Sequence, residues 1–456
     1  MSVFLSQYLF YPVYELVTGR RILSKLRQVE RTQWRSPAEI EALKQERLCN
    51  LLTHAYRHVP FYQQRIAAQA SSPEQLADPE RFGQLPLLTK DDILVHRDEM
   101  VATNFPSSAL KLDATGGSTG HTLSFYNDRV ALDFRSAVTI RGDRWAGLDI
   151  GTPHSRLWGA PLELEAQERF INRLTNWVLR RQWLDCFRLS ENVLSDYVRQ
   201  MRRFHPRVLM GYTSALITMA RFIAEHNIRD IGLSSVISSA ETLLDEQRSE
   251  IESAFGCKVY NRYGCREVGP IAVECPEGNL HVNADYLYLE LIRGGRRARP
   301  GEMGEIVITP LFSYGMPLIR YRIGDLGVAA GEQECPCGRG LPLIKRVLGR
   351  TSDMFVNSQG EAFHGEYFTH LFYHRPGVRQ FQAIQPDTEH LRFKIVPAPD
   401  FDSRVFAELE KKIHDFIGPM QVQWELVEEI PPFKSGKRAF TLSLVPVDYT
   451  AAGVGL

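Results

Sequence analysis

The chain has 456 residues, with 54 Lys and Arg against 54 Asp and Glu and a hydrophobic fraction of 44%. At roughly 150 residues per domain this length predicts two or three domains, and the balanced charge gives no reason to expect a nucleic-acid partner. No apolar run reaches the roughly 18 residues of a membrane-spanning helix. Seven cysteines without a secretory signal favour free or metal-bound thiols in the cytoplasm over a disulfide framework.

The N-terminal segment is apolar and aromatic from Phe4 to Tyr14 and then basic at Arg20 and Arg21. It lacks the basic start and the small-residue cleavage site of a signal peptide. Two placements fit it, and the second is preferred: peripheral contact with a membrane surface, or a helix packed on its own domain. The oligomeric state is open, a homodimer included.

The first long periodic pattern predicts a helix from Ser36 to about Ala68, because its apolar residues recur at helical spacing. A short strand at Leu110–Leu112 then runs into a glycine-rich stretch. Strand-like composition resumes over Thr122–Tyr126, and Asp128 is placed to cap the helix that follows and extends toward Trp145.

The middle of the chain alternates helical stretches with short apolar strands. Val208–Met210, Ser235–Ser238 and Lys258–Tyr260 each end in a small or polar turn, as expected of an α/β arrangement with loops at the strand ends. From Tyr286 the pattern changes to strands joined by turns. These strands are predicted at Tyr286–Ile292, Glu305–Pro310 and Leu318–Tyr321.

A new α+β pattern begins after Gly349 and Arg350, with a helix near Phe401–Phe416 and strands on either side of it. We therefore predict an α/β protein with two parts. A large N-terminal domain of layered sheets and helices covers residues 1–350, and a small, mobile α+β C-terminal domain covers residues 351–456.

The glycine-rich stretch lies between two predicted strands. It comprises Thr115, Gly116, Gly117, Ser118, Thr119 and Gly120. Such a loop brings backbone N–H groups and hydroxyls close to phosphate oxygens, because no bulky side chain blocks the approach. Taken alone, the same composition is also typical of a plain turn.

Three functional interpretations compete with the plain turn. A Walker A loop needs a lysine after its last glycine, where this chain has His121. The G-x-S-x-G pattern fits a nucleophile elbow, with Ser118 as the nucleophile of a serine hydrolase, but an elbow passes directly into a helix and Thr122–Tyr126 is strand-like. The third interpretation is the phosphate loop of adenylate-forming enzymes, which requires partner motifs further along the chain.

Those partner motifs follow in order. They are Asn261–Glu267, Pro300–Ile308, Tyr321–Asp325, Gly349–Asp353 and Lys434–Lys437. Together they resemble the superfamily of acyl- and aryl-CoA synthetases, nonribosomal-peptide adenylation domains and luciferases. Val59–Tyr62 and Cys335–Gly340 are similar to the phenylacetate–CoA ligase branch, in particular to its relatives encoded with capsular and exopolysaccharide genes.

The resemblance implies an ATP site. Negative charge gathers as a substrate carboxylate attacks the α-phosphorus of ATP, so N–H groups and cations are expected around it. Ser118, Thr119 and the loop backbone would hold the departing phosphates. Tyr263 would stack on adenine, and Asp325 would accept from the ribose hydroxyls with the help of Arg350.

Two residues are predicted to be catalytic. Glu267 would ligate Mg²⁺, a hard ion that prefers oxygen, and Lys437 would bridge the α-phosphate and the carboxylate. Glu241, Asn261 and Gly264 complete the nucleotide contacts that the resemblance implies.

The acid pocket is expected, by the same resemblance, at Tyr212, Ser214, Ser239 and Ala240. One departure concerns the hinge motif, where the superfamily has an acid two residues after the arginine. This chain has Ser352 there and Asp353 one residue further on. Because the hinge would turn between two half-reactions, the departure bears on the second half-reaction more than on the first.

A metal site is the last candidate. Cys275 and His281 form a Cys-x5-His pair, and Cys335 and Cys337 flank Pro336 on a glycine-rich turn. These ligand types suit a tetrahedral, structural Zn²⁺ site. The spacing is not that of a standard zinc finger, so two unrelated sets of reduced cysteines remain an open alternative.

The predicted reaction joins a small-molecule carboxylic acid to ATP with release of pyrophosphate, and then transfers the acyl group to coenzyme A or another acceptor. The main alternative is a nucleotide-binding scaffold protein of polysaccharide biosynthesis that lacks turnover. Retention of both Glu267 and Lys437 argues against it.

Overall fold

The computed structural model describes residues 3–70, 72–114, 123–159, 173–186, 189–331, 333–359, 362–372, 375, 377–431 and 440–445. A twelve-stranded mixed sheet dominates the chain up to Arg350, and a four-stranded sheet dominates the rest. The predicted α/β fold is therefore confirmed.

The helices are numbered in chain order. They are α1 (Val3–Leu5), α2 (Tyr11–Thr18), α3 (Ile22–Thr32), α4 (Pro37–His58), α5 (Pro60–Ala67), α6 (Pro73–Leu76), α7 (Pro79–Phe82), α8 (Lys90–His96), α9 (Arg129–Trp145), the described part of α10 (173–178), α11 (Glu191–Phe204), α12 (Thr213–Glu225), α13 (Asp245–Phe255), α14 (Glu366–Phe372) and α15 (Val405–Ile417).

The strands are numbered in the same way. They are β1 (Leu110–Ala114), β2 (Ser124–Asp128), β3 (His154–Trp158), β4 (Arg181–Asp185), β5 (Val208–Tyr212), β6 (Ser235–Ser239), β7 (Lys258–Cys265), β8 (Gly269–Glu274), β9 (Leu280–Val282), β10 (Leu287–Arg293), β11 (Arg296–Arg297), β12 (Met303–Pro310), β13 (Tyr321–Ala329), β14 (Leu343–Arg350), β15 (Met354–Val356), β16 (Ala362–His364), β17 (Val378–Gln385), β18 (His390–Pro397), β19 (Gln421–Leu426) and β20 (Thr441–Ser443).

The N-terminal segment packs through one face only. Ser6 and Tyr11 are buried, whereas Tyr8, Leu16 and Val17 are at least 68% exposed. The N-terminal segment thus packs on its own domain, as preferred from the sequence. Peripheral membrane contact through its exposed face stays a prediction. Among the helices described, none has both the length and the apolar composition needed to cross a bilayer.

The single helix predicted over residues 36–68 is wrong, because two helices occupy that range. Helix α4 starts at a capping box in which Ser36 and Glu39 bond each other's backbone, and it ends at His58. Val59 is extended, with φ −117° and ψ 105°, and α5 starts at Pro60. Proline disfavours the helical conformation of the residue before it and has no N–H to continue the ladder.

The large sheet has the order β11-β10-β12-β13-β14-β9-β8-β7-β6-β5-β3-β4. Strands β3 to β7 pair in parallel, and the strands from β7 to β14 pair antiparallel. The change near Tyr286, predicted as a switch from alternating helices and strands to strands joined by turns, therefore lies in the antiparallel part of the same sheet. The strand predicted at Leu318–Tyr321 is wrong: β13 begins at Tyr321, because Arg320 is in a left-handed turn conformation with φ 54°.

A buried ion pair joins the N-terminal helices to the sheet region. Arg141 on α9 donates to both oxygens of Asp285, at 2.6 and 2.9 Å, and both side chains are fully buried. Thr32 at the end of α3 and Arg47 on α4 also donate to Asp285. The carboxylate of Asp285 thus connects α9 and α3 to the turn that precedes β10, and its backbone carbonyl accepts from Arg47 on α4.

The C-terminal region packs α15 against a sheet of order β19-β18-β17-β20. Its core is aromatic, and the ring of Phe393 contacts the rings of both Phe368 and Phe372. Strand β14 ends at Arg350, and a single turn, Thr351–Asp353, leads into β15. The division of the chain into two domains at residue 350 stays a prediction.

Candidate active site

Five parallel strands end at one edge of the large sheet, and the predicted pocket residues lie there. Tyr212 ends β5, Ser239 ends β6, and the motif that starts at Asn261 continues along β7. In parallel sheets the carboxyl edge is where loops gather around ligands. Ala240, directly after β6, has φ 72°, a strained conformation for a residue with a side chain.

Tyr263, Asp325 and Arg350 are brought together from three strands. The Tyr263 hydroxyl donates to Asp325 Oδ2 at 2.8 Å, and Arg350 Nε lies 3.1 Å from Asp325 Oδ1. Burial and the Asp325 carboxylate raise the pKa of Tyr263 well above its usual value, so the phenol stays protonated and donates. The same carboxylate raises the pKa of Arg350.

Glu267 lies beside a second tyrosine that sequence analysis did not assign. Tyr321 donates its hydroxyl to Glu267 Oε1 at 2.9 Å. Burial, followed by the charge of Glu267, raises the pKa of Tyr321, and the same two causes raise the pKa of the neighbouring Cys265 thiol well above normal. Tyr321 and Asp325 belong to one sequence motif, and this motif was the signal that could have predicted a site role for Tyr321.

The predicted acid-pocket residues are engaged with neighbouring groups. Ser214 donates to Glu241 through its backbone N–H at 2.7 Å and its hydroxyl at 3.0 Å, at the start of α12. The Ser239 hydroxyl donates to the carbonyl of Arg262 at 3.0 Å. Tyr212 is buried with its ring centroid 4.3 Å from that of Trp158.

Two further motif residues have backbone roles. The N–H of Asn261 donates to Glu274 Oε2 at 2.8 Å. Gly264 lies where β7 crosses a bulge in its pairing with β8, and a Cβ there would lie 2.2 Å from the carbonyl oxygen of Gly269. Only glycine permits this approach of the two backbones.

The glycine-rich loop, residues 115–120, lies outside the described residues, but its stem does not. Strands β1 and β2 pair as an antiparallel hairpin on either side of it. Asp113, on β1, lies 3.3 Å from Arg266 Nε, next to Glu267. The stem is thus held against the turn that carries Glu267.

The continuation after the loop bears on the hydrolase alternative. The chain enters strand β2 at Ser124, and the next helix, α9, begins only at Arg129. Asp128 caps α9, as predicted, by accepting from the N–H of Ala131 at 2.9 Å. The strand after the loop differs from the helix that a nucleophile elbow requires.

The hinge carboxylate is Asp353, the acid that follows Ser352. It accepts from the N–H of Arg350 at 2.9 Å and from the Thr441 hydroxyl at 3.2 Å, which links the end of β14 to β20. Burial raises its pKa to about 6. The displaced acid is evident from the sequence, but its partner is not, because Thr441 is 88 residues away. Lys437 lies outside the described residues.

The four candidate metal ligands do meet. The donor atoms of Cys275, His281, Cys335 and Cys337 all lie within 4.8 Å of one another. Pairing of Leu343 on β14 with His281 on β9 brings the two halves of the cluster together.

The fold belongs to a known structural class, that of adenylate-forming CoA ligases. The chain superposes on 2-hydroxyisobutyryl-CoA ligase in the postadenylation state in complex with 2-HIB-AMP with a TM-score of 0.74, at 21% identity over 91% of each chain. The same ligase in complex with 2-HIB-AMP and CoA in the thioesterification state gives a TM-score of 0.61.

Within that class, the sequence has homologues of two kinds. It is 25% identical to protein CapK of Staphylococcus aureus over 88% of both chains, and 28% identical to phenylacetate-coenzyme A ligase of Pseudomonas putida over 70% of this chain and 73% of that one. Residues 355–443 match the model of the CapK C-terminal domain. The predicted resemblance is confirmed by the phenylacetate-coenzyme A ligases and CapK among the homologues. The predicted enzyme class is confirmed as well, because those ligases and the structural neighbours are acyl- and aryl-CoA ligases.

Proposed function

We propose that this protein activates a carboxylic acid with ATP, releases pyrophosphate, and transfers the acyl group of the resulting acyl-adenylate to coenzyme A. The observation that carries the proposal is the cluster of Tyr263, Asp325 and Arg350 beside Glu267, at the carboxyl edge of the sheet. An aromatic ring, a carboxylate and a cation at one edge of the sheet match the adenine, ribose and phosphate groups of a nucleotide. The homologues support the same reaction class.

Asp325 is assigned to the ribose hydroxyls. A carboxylate has about four lone-pair sites, so the bonds from Tyr263 and Arg350 leave capacity for two hydroxyl donors. The bond from its hydroxyl fixes the Tyr263 ring beside this carboxylate, where an adenine attached to the ribose would meet it. Arg350, with its Nε 3.1 Å from Oδ1 of Asp325, offsets the charge of this carboxylate and fixes its orientation.

Glu267 is assigned to Mg²⁺. Its carboxylate is a hard oxygen donor, and the bond from Tyr321 occupies one of its oxygens while orienting the group. When bound, Mg²⁺ would neutralise part of the phosphate charge. Glu241, held by Ser214, and Asn261 complete the proposed nucleotide contacts.

The phosphates are assigned to the loop from Thr115 to Gly120. The position of the β1–β2 hairpin that flanks this loop supports the assignment. Because Asp113 pairs with Arg266, the end of β1 that precedes the loop lies next to the turn that carries Glu267. Ser118, Thr119 and the backbone N–H groups would bind the outgoing pyrophosphate. Lys437 would neutralise the charge that develops as the carboxylate oxygen bonds to the α-phosphorus and the bond to pyrophosphate breaks.

The second half-reaction transfers the acyl group. The thiolate of coenzyme A would attack the acyl carbonyl, and AMP would leave. The chain superposes on that ligase with a TM-score of 0.74 in the postadenylation state and 0.61 in the thioesterification state. The higher score supports a C-terminal lid that stands here as it does after adenylation and rotates for thioester formation.

The acid is assigned to the region of Tyr212, Ser214, Ser239 and Ala240, beside Trp158. Two of the hydroxyls there already bond protein groups, so the pocket recognises its substrate mainly by the shape of its aromatic wall.

Pyrophosphate exchange tests this proposal. With radiolabelled pyrophosphate, ATP, Mg²⁺ and a panel of aryl, fatty and hydroxy acids, we expect label to enter ATP with at least one acid. A scaffold protein would bind ATP in a calorimeter but give no exchange with any acid, which would overturn the proposal. A hydrolase would instead be labelled at Ser118 by a serine-directed phosphonate.

A further inference from the structure

A cluster of three thiols and one imidazole lies on the large sheet, away from the nucleotide site. Cys275 follows β8, and Glu267 precedes β8 at its opposite end. We propose that Cys275, His281, Cys335 and Cys337 bind one tetrahedral Zn²⁺ ion that has a structural role.

The distances fit a shared ion. Two sulfur ligands about 2.3 Å from one Zn²⁺ at the tetrahedral angle stand about 3.8 Å apart. The sulfur atoms of Cys275 and Cys335 are 3.7 Å apart, whereas a disulfide would need about 2.05 Å. The Cys337 sulfur lies 3.2 Å from Nε2 of His281.

The surrounding groups orient the ligands as a metal site requires. Nδ1 of His281 lies 2.8 Å from the carbonyl oxygen of Leu341, so this nitrogen carries the proton and Nε2 turns its lone pair toward the sulfurs. Asn279 donates its side-chain N–H to the sulfur of Cys335 at 3.3 Å. Such bonds stabilise thiolates.

Each pair of ligands is presented by a tight turn. The N–H of Gly278 donates to the carbonyl of Cys275, and the N–H of Gly338 donates to the carbonyl of Cys335, both near 3 Å. Cys275, His281 and Cys335 are buried and Cys337 is half-buried. Each thiol loses its proton to solvent on binding, so the ion also neutralises the buried thiolates.

The ion would hold the N-terminal helices in place. Arg339, two residues after Cys337, donates to the side chain of Gln33 at 3.1 Å, and its guanidinium lies over the rings of Trp34 and Trp145. The N–H of Gly340 donates to the carbonyl of Gln33. A fixed metal turn therefore anchors the connection between α3 and α4.

Metal analysis of the purified full-length protein tests the site. We expect close to one zinc ion per chain, with less than a tenth of that in Cys337→Ser and Cys275→Ser. Cys186→Ala is the matched control, because Cys186 follows β4 at the far end of the sheet, and it should keep its zinc.

A second measurement tests the site even if zinc is lost during purification or if a cysteine variant does not fold. Wild-type protein stripped of metal is titrated with Co²⁺, and we expect thiolate-to-cobalt charge transfer and tetrahedral d–d absorption that saturate at one equivalent. Absence of both zinc and stoichiometric cobalt binding, or a Cys275–Cys335 disulfide found by mass spectrometry, would overturn the proposal.

Discussion

At the scale of single residues, the nucleotide site depends on one carboxylate. Asp325 joins Tyr263 and Arg350, whose motifs are 87 residues apart in the chain. The three motifs were predictable one by one, because each combines a turn glycine with a polar residue. The contacts among them were not, since they depend on the pairing of β13 with β14 and on the position of β7.

Asp325→Asn should weaken ATP binding about tenfold to a hundredfold, because a charge-assisted hydrogen bond contributes about 1.5–3 kcal/mol. Tyr263→Phe removes only the hydroxyl that bonds Asp325 and keeps the ring, so it should weaken binding less than about fivefold. Calorimetric titration with ATP measures both, with thermal melting as the check on folding. Equal affinity of Asp325→Asn and wild type would contradict the assignment.

Asp353 gives the site region a predicted pH dependence. The pKa of Asp353 is about 6 in the folded protein, above the ordinary value of an aspartate carboxyl. At a pH between these two pKa values the Asp353 carboxyl is protonated in the folded protein and ionised in the unfolded chain. Protonation of Asp353 therefore stabilises the folded protein at low pH, and this stabilisation is lost as the pH rises through 6.

The stability of Asp353→Asn relative to wild type should therefore increase between about pH 5 and pH 7, as measured by thermal melting across that range. Asp402→Asn is the control, because the pKa of Asp402 is lowered by Arg404 and its titration ends below this window. A pH profile of Asp353→Asn parallel to that of wild type would show that Asp353 does not titrate there.

At the scale of elements, the Arg141–Asp285 pair connects α9 with the turn before β10 and contacts α3 and α4. Removing one partner leaves an uncompensated buried charge, which costs about 3–5 kcal/mol. Asp285→Ala should accordingly lower the melting temperature strongly. Asp230→Ala, which breaks the exposed Arg202–Asp230 pair, should leave the melting temperature nearly unchanged. Similar shifts for the two variants would refute the structural role.

The helices and strands also show what a sequence pattern can predict. Short strands such as Val208–Tyr212 are found where their apolar runs predict them, with ends displaced by a residue or two. The break at Val59–Pro60 was missed because apolar periodicity continues across it, although proline is a direct signal. The joining of parallel and antiparallel strands into one sheet depends on long-range pairing that periodicity does not encode.

At the scale of the whole molecule, the proposed function depends on how the C-terminal region meets the large sheet. Asp353 bonds Thr441 on β20 and the backbone of Arg350 on β14, so one carboxylate spans the predicted hinge. Lys437 precedes Thr441 by four residues in the chain. Movement about this hinge is the proposed means of bringing the lysine to the nucleotide and withdrawing it again.

Pyrophosphate exchange by wild type, Lys437→Ala and the control Lys434→Ala tests the central claim most directly. We expect exchange with at least one carboxylic acid in wild type and Lys434→Ala. In Lys437→Ala a loss of about a hundredfold or more is expected with ATP affinity nearly unchanged, because the lysine acts on charge that develops in the transition state. Exchange by Lys437→Ala at the wild-type rate, or no exchange by wild type with any acid, would contradict the account.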